Sequence, residues 1–165
     1  MNFENMPLFN EVAPNLFMGG TSDLATIDKA QELKHFDGQN EFDCVVTLYA
    51  WAAPANWGVE ERRFGFPDAE LIDEYLPVII DLAHWAYKKW DSGLRVNIRC
   101  QAGLNRSGLV TALVLMMSGL SADAAIDRLR EKRSTYALCN GEFEHWLLTD
   151  AHKHIESKLM SRKSA

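Results

Sequence analysis

Cysteine is scarce in this chain, with three residues in 165. A low, odd count excludes a secreted disulfide scaffold and suits a reducing compartment, so a cytoplasmic location is expected. No apolar run reaches the length of about 18 residues that a membrane span needs, and no membrane association is expected. The N-terminus, MNFENMPLFNE, lacks the basic start of a secretory signal. Basic residues are outnumbered: 17 Lys and Arg against 23 Asp and Glu give a net charge of −6. That balance argues against nucleic acid as a partner. There is no internal repeat, no low-complexity tract and no linker rich in Pro, Gly or Ser. What is present is a 47% hydrophobic composition, too apolar for a disordered chain and long enough for a real core. A single domain over 1–165, with its core at about 6–158 and only the tail LMSRKSA loose, is the expected organisation. A monomer is expected.

The hydrophobic pattern predicts strands early and helices late. Asn10 to Thr21 reads as a short hairpin punctuated by Gly19–Gly20. Leu24, Ile27, Ala30 and Leu33 recur at threes and predict a helix capped by Thr21 or Ser22. DCVVTLYA (43–50) is a β-branched run of strand length, buried on both faces. Residues 52–62 show no period and read as loop; RFGFPDAE (63–70) is expected to hold a short edge strand ending at Pro67. A helix is predicted over 70–90, with Pro77 in its first turn or at a kink and Gly93 after its end. Arg95 to Arg99 forms a short strand. LVTALVLMMSGL, apolar nearly all round, predicts a helix in the middle of the fold. Ser121 caps another helix, and a final amphipathic helix runs from Glu142 to about Lys158. These elements predict an α/β (α+β) fold: a central mixed, mostly parallel sheet flanked by helices.

The segment that carries chemistry is CQAGLNRSG (100–108), a tight loop between a strand and the buried helix. The bare spacing Cys-x5-Arg is weak evidence, since chance yields about 0.16 occurrences at this composition. Requiring Gly103 and Ser107 as well lowers that to about 5 in 10,000. A loop this short, entering a helix N-terminus, turns the backbone N–H groups of Gln101, Ala102, Gly103, Leu104, Asn105 and Arg106 inward, where helix dipole and free donors favour a dianion. Gly103 permits the backbone angles of such a cradle. Arg106 has the planar fork that grips two phosphate oxygens. Cys100 lies at the floor of this positive cup, which favours a thiolate placed in line with phosphorus. Cys44 and Cys139 read as ordinary, one in a strand and one in a turn, each with a redox role open to it.

With these residues in place, the chain resembles the cysteine-dependent protein tyrosine phosphatases, closest to the dual-specificity branch with its signature HC-x-x-G-x-x-R-S. PNLFMGG is similar to that family's N-terminal hairpin, DCVVTLYA to its first core strand, FPDAELID to its general-acid loop, and Asn140, Gly141, Glu142, Phe143 to its Asn-x-x-Phe segment. The resemblance implies the phosphatase fold and hydrolysis of phosphoproteins, on phosphotyrosine and also phosphoserine or phosphothreonine, with no metal or cofactor. It implies Cys100 as nucleophile, Arg106 with the 101–106 backbone as phosphate-binding groups, and Ser107 as hydrogen-bond partner of the sulfur. It implies Asp68 as general acid, chosen by its position after Pro67 and 32 residues before Cys100. Asp73 is the competitor, and a plain helix cap is the alternative role for Asp68.

One position departs from the family. Arg99 stands where the signature has histidine; a cation preserves the electrostatic part but not the imidazole hydrogen bond, and its longer side chain must find another partner. The consequence to weigh is a weak catalyst that binds phosphoresidues. Gln101, Leu104 and Asn105 carry no lysine, which favours phosphoprotein over polyanionic inositide. Trp51 and Trp57 either flank the pocket or pack. Arg62 and Arg63 either attract phosphosubstrate or form a solvated surface pair. His35, His84, His145, His152 and His154 show no metal-ligand spacing.

Overall fold

A computed structural model of the chain describes residues 6–21 and 41–160. The expected helix on Leu24, Ile27, Ala30 and Leu33 lies outside the described residues. Five strands form one sheet in the order β1-β2-β5-β3-β4: β1 (Phe9–Ala13), β2 (Leu16–Gly19), β3 (Cys44–Thr47), β4 (Glu60–Arg63) and β5 (Val96–Arg99). The hairpin β1–β2 is antiparallel, and every other pairing is parallel. The mixed, mostly parallel sheet is therefore as expected. Among the described residues the helices are α1 (Leu76–Asp91), α2 (Arg106–Met117), α3 (Ala122–Lys132), α4 (Gly141–Thr149) and α5 (Ala151–Met160), preceded by a 3-10 turn at Asp73–Tyr75. No helix among the described residues is long and apolar enough to cross a membrane.

The parallel register decides where chemistry is possible. Gly19 pairs with Arg99, Arg99 with Thr47, and Thr47 with Arg63. Four strands thus end on one line, and the four segments that follow them leave from the same edge. In parallel sheets that edge is where ligands bind. The hydrophobic reason for this register is plain in β3 and β5. Cys44, Val45, Val46, Val96 and Ile98 are all buried, so both strands must be central and covered on both faces. Helix α2 supplies much of that cover: every residue except Met116 is buried, each large aliphatic contributing about 1.5–3 kcal/mol.

Three predicted boundaries are corrected. The edge strand is Glu60–Arg63, not within 63–70, and it takes the end of the stretch read as loop. Its residues EERR show no apolar period because an edge strand needs only its backbone to pair; Phe66, three residues later, is instead buried from a loop. The helix predicted from residue 70 starts at Leu76, with Pro77 in its first turn, where no N–H is needed. The last helix is two helices broken at Asp150. Thr149 Oγ1 donates to His145 O (2.9 Å) and to Asp150 Oδ2 (2.8 Å), and Lys153 Nζ to Asp150 Oδ1 (2.8 Å). These side-chain bonds offer the backbone an alternative to a continuous helix. The Ser121 cap is present, accepting from Ala124 N at 3.2 Å.

Candidate active site

The loop 101–105 carries its backbone in a consistent orientation. Each carbonyl is held from behind. Gln101 O accepts from Thr21 N (3.0 Å), Leu104 O from Leu138 N (3.2 Å) and Asn105 O from Leu109 N (2.8 Å). Arg133 Nε donates to Gly103 O (3.0 Å), and its Nη2 to Ala102 O (3.4 Å). With the carbonyls engaged on the protein side, the N–H groups of 101–105 find no acceptor among the described residues. They are the free donors that an anion cradle requires. Gly103 makes the turn possible: its φ is +70°, and its Cα lies so close to β2 that a Cβ would sit 2.3 Å from Gly19 C.

Cys100, 2% exposed, closes the floor directly after β5. Its Sγ shares a hydrogen bond, at 3.3 Å, with the Oγ of Ser107, the second residue of α2. Arg106 is buried and braced: Nη1 donates to Phe66 O (3.0 Å) and Leu48 O (3.4 Å), and its guanidinium lies 5.5 Å from the Tyr49 ring centroid. Its Nε is buried and has no hydrogen-bond partner among the described residues. An orphaned donor on a buried cation is costly unless a ligand completes it, and a phosphate oxygen is the acceptor whose geometry suits the guanidinium fork.

Asp68 is exposed above the loop. Asn105 Nδ2 donates to its Oδ2 (3.0 Å) and Asn140 Nδ2 to its Oδ1 (2.9 Å). Asn105 and Asn140 are themselves joined, Asn140 N donating to Asn105 Oδ1 at 3.0 Å. The acid candidate is thus tied to the phosphate loop and to the N-cap of α4. Asp73 lies elsewhere, in the 3-10 turn, along a groove with Trp146, Asp150 and His154. Of the predicted residues, the structure brings together Cys100, Gln101–Ser107 and Asp68, and it leaves Asp73 apart.

Arg99 finds its other partners at the rim of the site. Nε donates to Thr47 Oγ1 (2.9 Å), and Nη2 to Ala53 O (2.6 Å) and Glu61 Oε1 (3.2 Å). The described residues hold no group of three or more His, Cys, Asp or Glu placed to bind a metal.

Sequence reasoning missed Arg133. It ends an amphipathic helix, where a basic residue reads as a surface charge or a dipole complement. Instead it is buried beneath the loop, with further bonds from Nη1 to Pro7 O (2.6 Å) and Asn10 Oδ1 (2.6 Å). Burial pulls its guanidinium down to about 10, opposed by the nearby charge of Cys100; at neutral pH it remains a cation. We expect Arg133→Met to cost about 3 kcal/mol in denaturant unfolding, because the Ala102 and Gly103 carbonyls lose a charged donor. Unchanged stability would show that these bonds are not what shapes the loop.

No family model matches the chain. A solved mouse putative dual specificity phosphatase, in complex with zinc tungstate, superposes with a TM-score of 0.70 at 24% identity. It covers 95% of this chain and 91% of that one. The chain has the dual-specificity phosphatase fold. Human DUSP28 superposes with a TM-score of 0.65 at 23% identity, over 93% of this chain and 96% of that one. Among curated proteins, PRL-1 phosphatase of Drosophila melanogaster is 34% identical over 68 residues, 41% of this chain. That match spans only 36% of the relative's length. In this chain the cup lies at the edge where four parallel-running strands end.

Proposed function

We propose that this protein hydrolyses phosphomonoesters on phosphoproteins through a phosphocysteine intermediate. The observation that carries the reading is the convergence of a cysteine sulfur, unpaired loop N–H groups and the orphaned Arg106 Nε on one cup, with a carboxylate held above it. In the first step the Cys100 thiolate attacks phosphorus. The bond to the ester oxygen breaks, and Asp68 gives that oxygen its proton. The 101–106 backbone and Arg106 stabilise the charge on the equatorial oxygens. In the second step Asp68 takes a proton from water, the water oxygen attacks phosphorus, and inorganic phosphate leaves. The Ser107 O–H donates a hydrogen bond to the departing Cys100 sulfur. The test is a quench of the wild-type enzyme during turnover of a small aryl phosphate. The expected product carries one phosphoryl group on the Cys100 peptide, and its formation is blocked by vanadate. Vanadate-insensitive hydrolysis with no modified peptide would refute it.

The acid is tested separately. Asp68→Asn is expected to lower kcat about 100-fold or more and to remove the basic limb of the pH–rate profile. An unchanged profile would move the role to Asp73.

A second reading, phosphoresidue binding with poor turnover, rests on Arg99. It replaces the family histidine, and its guanidinium is engaged by Thr47, Ala53 and Glu61. Single-turnover measurement separates the two, because an enzyme releases stoichiometric phosphate in one cycle and a binding module releases none.

A further inference from the structure

The rim of the cup on the β3 side is a clamped turn. Ala52 N donates to Tyr49 O (3.2 Å), which makes Trp51 the third residue of a four-residue turn. Ala52 is buried, yet Trp51 beside it is 81% exposed. Two guanidinium groups grip the backbone that follows. Arg63 Nη2 donates to Ala52 O at 2.6 Å and Arg99 Nη2 to Ala53 O at 2.6 Å. Both cations meet Glu61, at 2.9 and 3.2 Å. Glu61 also accepts from Thr47 Oγ1 (2.5 Å) and Ala55 N (2.9 Å). Burial pushes its carboxyl up, but the bonds from Thr47 and Ala55 and the charges of Arg99 and Arg63 outweigh this and hold it below the usual range. The clamp is therefore an anionic pivot with two cationic arms.

What the clamp presents is continuous with the phosphate site. The Trp51 ring meets Tyr49 edge-on, with centroids 5.6 Å apart, and Tyr49 lies against the Arg106 guanidinium. A bulky indole on a fixed backbone loses little freedom when it binds something, which is why Trp is enriched among binding hot spots.

We infer that Trp51 determines substrate specificity by packing on an apolar or aromatic side chain next to the phosphorylated residue of a phosphopeptide, and that Arg99 is the positioning residue that holds it there. The inference rests on the phosphatase reading above. The occupant that fits is a peptide. The segment Ala50–Val59 carries no lysine or arginine to meet a polyanionic headgroup, and its exposed large side chains are indoles, Trp57 being 91% exposed. The same geometry gives Arg99 a function of its own, since a histidine at that position lacks the reach to span Thr47, Glu61 and Ala53 together.

The experiment compares kcat/KM for a phosphotyrosine peptide with leucine or tryptophan flanks against kcat/KM for p-nitrophenyl phosphate. Trp51→Ala is expected to lower the ratio of peptide to small ester about ten-fold, through KM. Trp51 is exposed, so this variant folds. Arg99→Ala should lower the ratio in the same direction, Arg99→Lys should restore part of it, and the double variant should match Trp51→Ala within about two-fold. An unchanged ratio in Trp51→Ala overturns the inference. Additive losses in the double variant overturn the role of Arg99. Should wild type hydrolyse neither compound, the phosphatase reading fails, and titration of the same peptide into Cys100→Ser and Cys100→Ser/Trp51→Ala decides instead. About ten-fold weaker binding in the second supports the inference, and equal binding overturns it. Co-sedimentation with phosphatidylcholine vesicles containing a phosphatidylinositol phosphate, lost in Trp51→Ala while the peptide ratio stays unchanged, overturns it in favour of a lipid surface.

Discussion

Cys100→Ser is expected to lower turnover of a small aryl phosphate by about 10⁴-fold or more while the protein stays folded. Serine occupies less volume than cysteine at a site that is already 2% exposed, so it fits without clash. It also keeps a hydroxyl within reach of Ser107 Oγ, whose bond to the sulfur is 3.3 Å. What it loses is the sulfur nucleophile. An alcohol at the floor of the cup stays protonated and is a poor nucleophile, whereas every donor that binds the dianion remains in place. The variant should therefore unfold within about 1 kcal/mol of wild type and still bind phosphate or vanadate competitively with a phosphopeptide. Equal turnover by both proteins would remove Cys100 from the mechanism. Loss of binding as well as turnover would show that the sulfur shapes the cup rather than reacting in it.

The second large effect is on stability, from the smallest possible change. Gly103→Ala adds one methyl group at φ +70°, in the left-handed region. That backbone conformation alone costs an L-residue about 1–3 kcal/mol. The added carbon would also meet Gly19 C at 2.3 Å, Gly20 N at 2.4 Å and Gly19 O at 2.6 Å. These atoms are backbone, so no side chain can swing aside. Relief requires the loop to lift from β2, which strains the bonds of Arg133 to Gly103 O and Ala102 O. We expect a loss of about 4 kcal/mol or more, or a fall in Tm of about 10 °C, together with loss of oxyanion binding. A control exists in Gly93, whose φ is +90° but whose added Cβ would meet nothing within 4 Å among the described residues. Gly93→Ala pays the conformational cost alone and should be markedly milder. Equal effects at the two positions would show that the close approach to β2 contributes nothing.

The contrast between these glycines shows what a sequence can carry. Both read as turn residues; only the packing distinguishes a glycine with open space beside it from one pressed against a neighbouring strand. The same limit applied to the cations. Arg106 was legible because it stands at a fixed spacing from Cys100 and Gly103 within one short loop, although the carbonyls that brace it, Leu48 O and Phe66 O, lie far away in the chain. Arg133 was not, because the carbonyls it holds are about thirty residues away, and a basic residue at a helix end looks the same whether it faces solvent or a buried loop. The edge strand β4 was misplaced for a related reason. EERR has no apolar alternation, and its pairing with β3 is a property of the backbone. Asp68 and Asp73 were separable only by argument from position until the fold set one against Asn105 and Asn140 and the other along a groove with Trp146, Asp150 and His154.

Local patterns determined the parts of this protein that depend on neighbours in the chain. The hairpin, the buried strand β3, the short strand β5, the buried helix α2 and the anion loop between Cys100 and Ser107 follow from periodicity, from Gly103 and from the short span between strand and helix. Tertiary structure alone decided what surrounds them. It turned the loop carbonyls onto Arg133 and Leu138, left the Arg106 Nε without a partner among the described residues, brought Asp68 over the cup, and sent Arg99 to brace the Trp51 turn. The physical reason is the parallel sheet. Its register ends four strands on one line, so segments far apart in sequence must meet at a single edge, and no pattern within any one segment records which of the others it will touch.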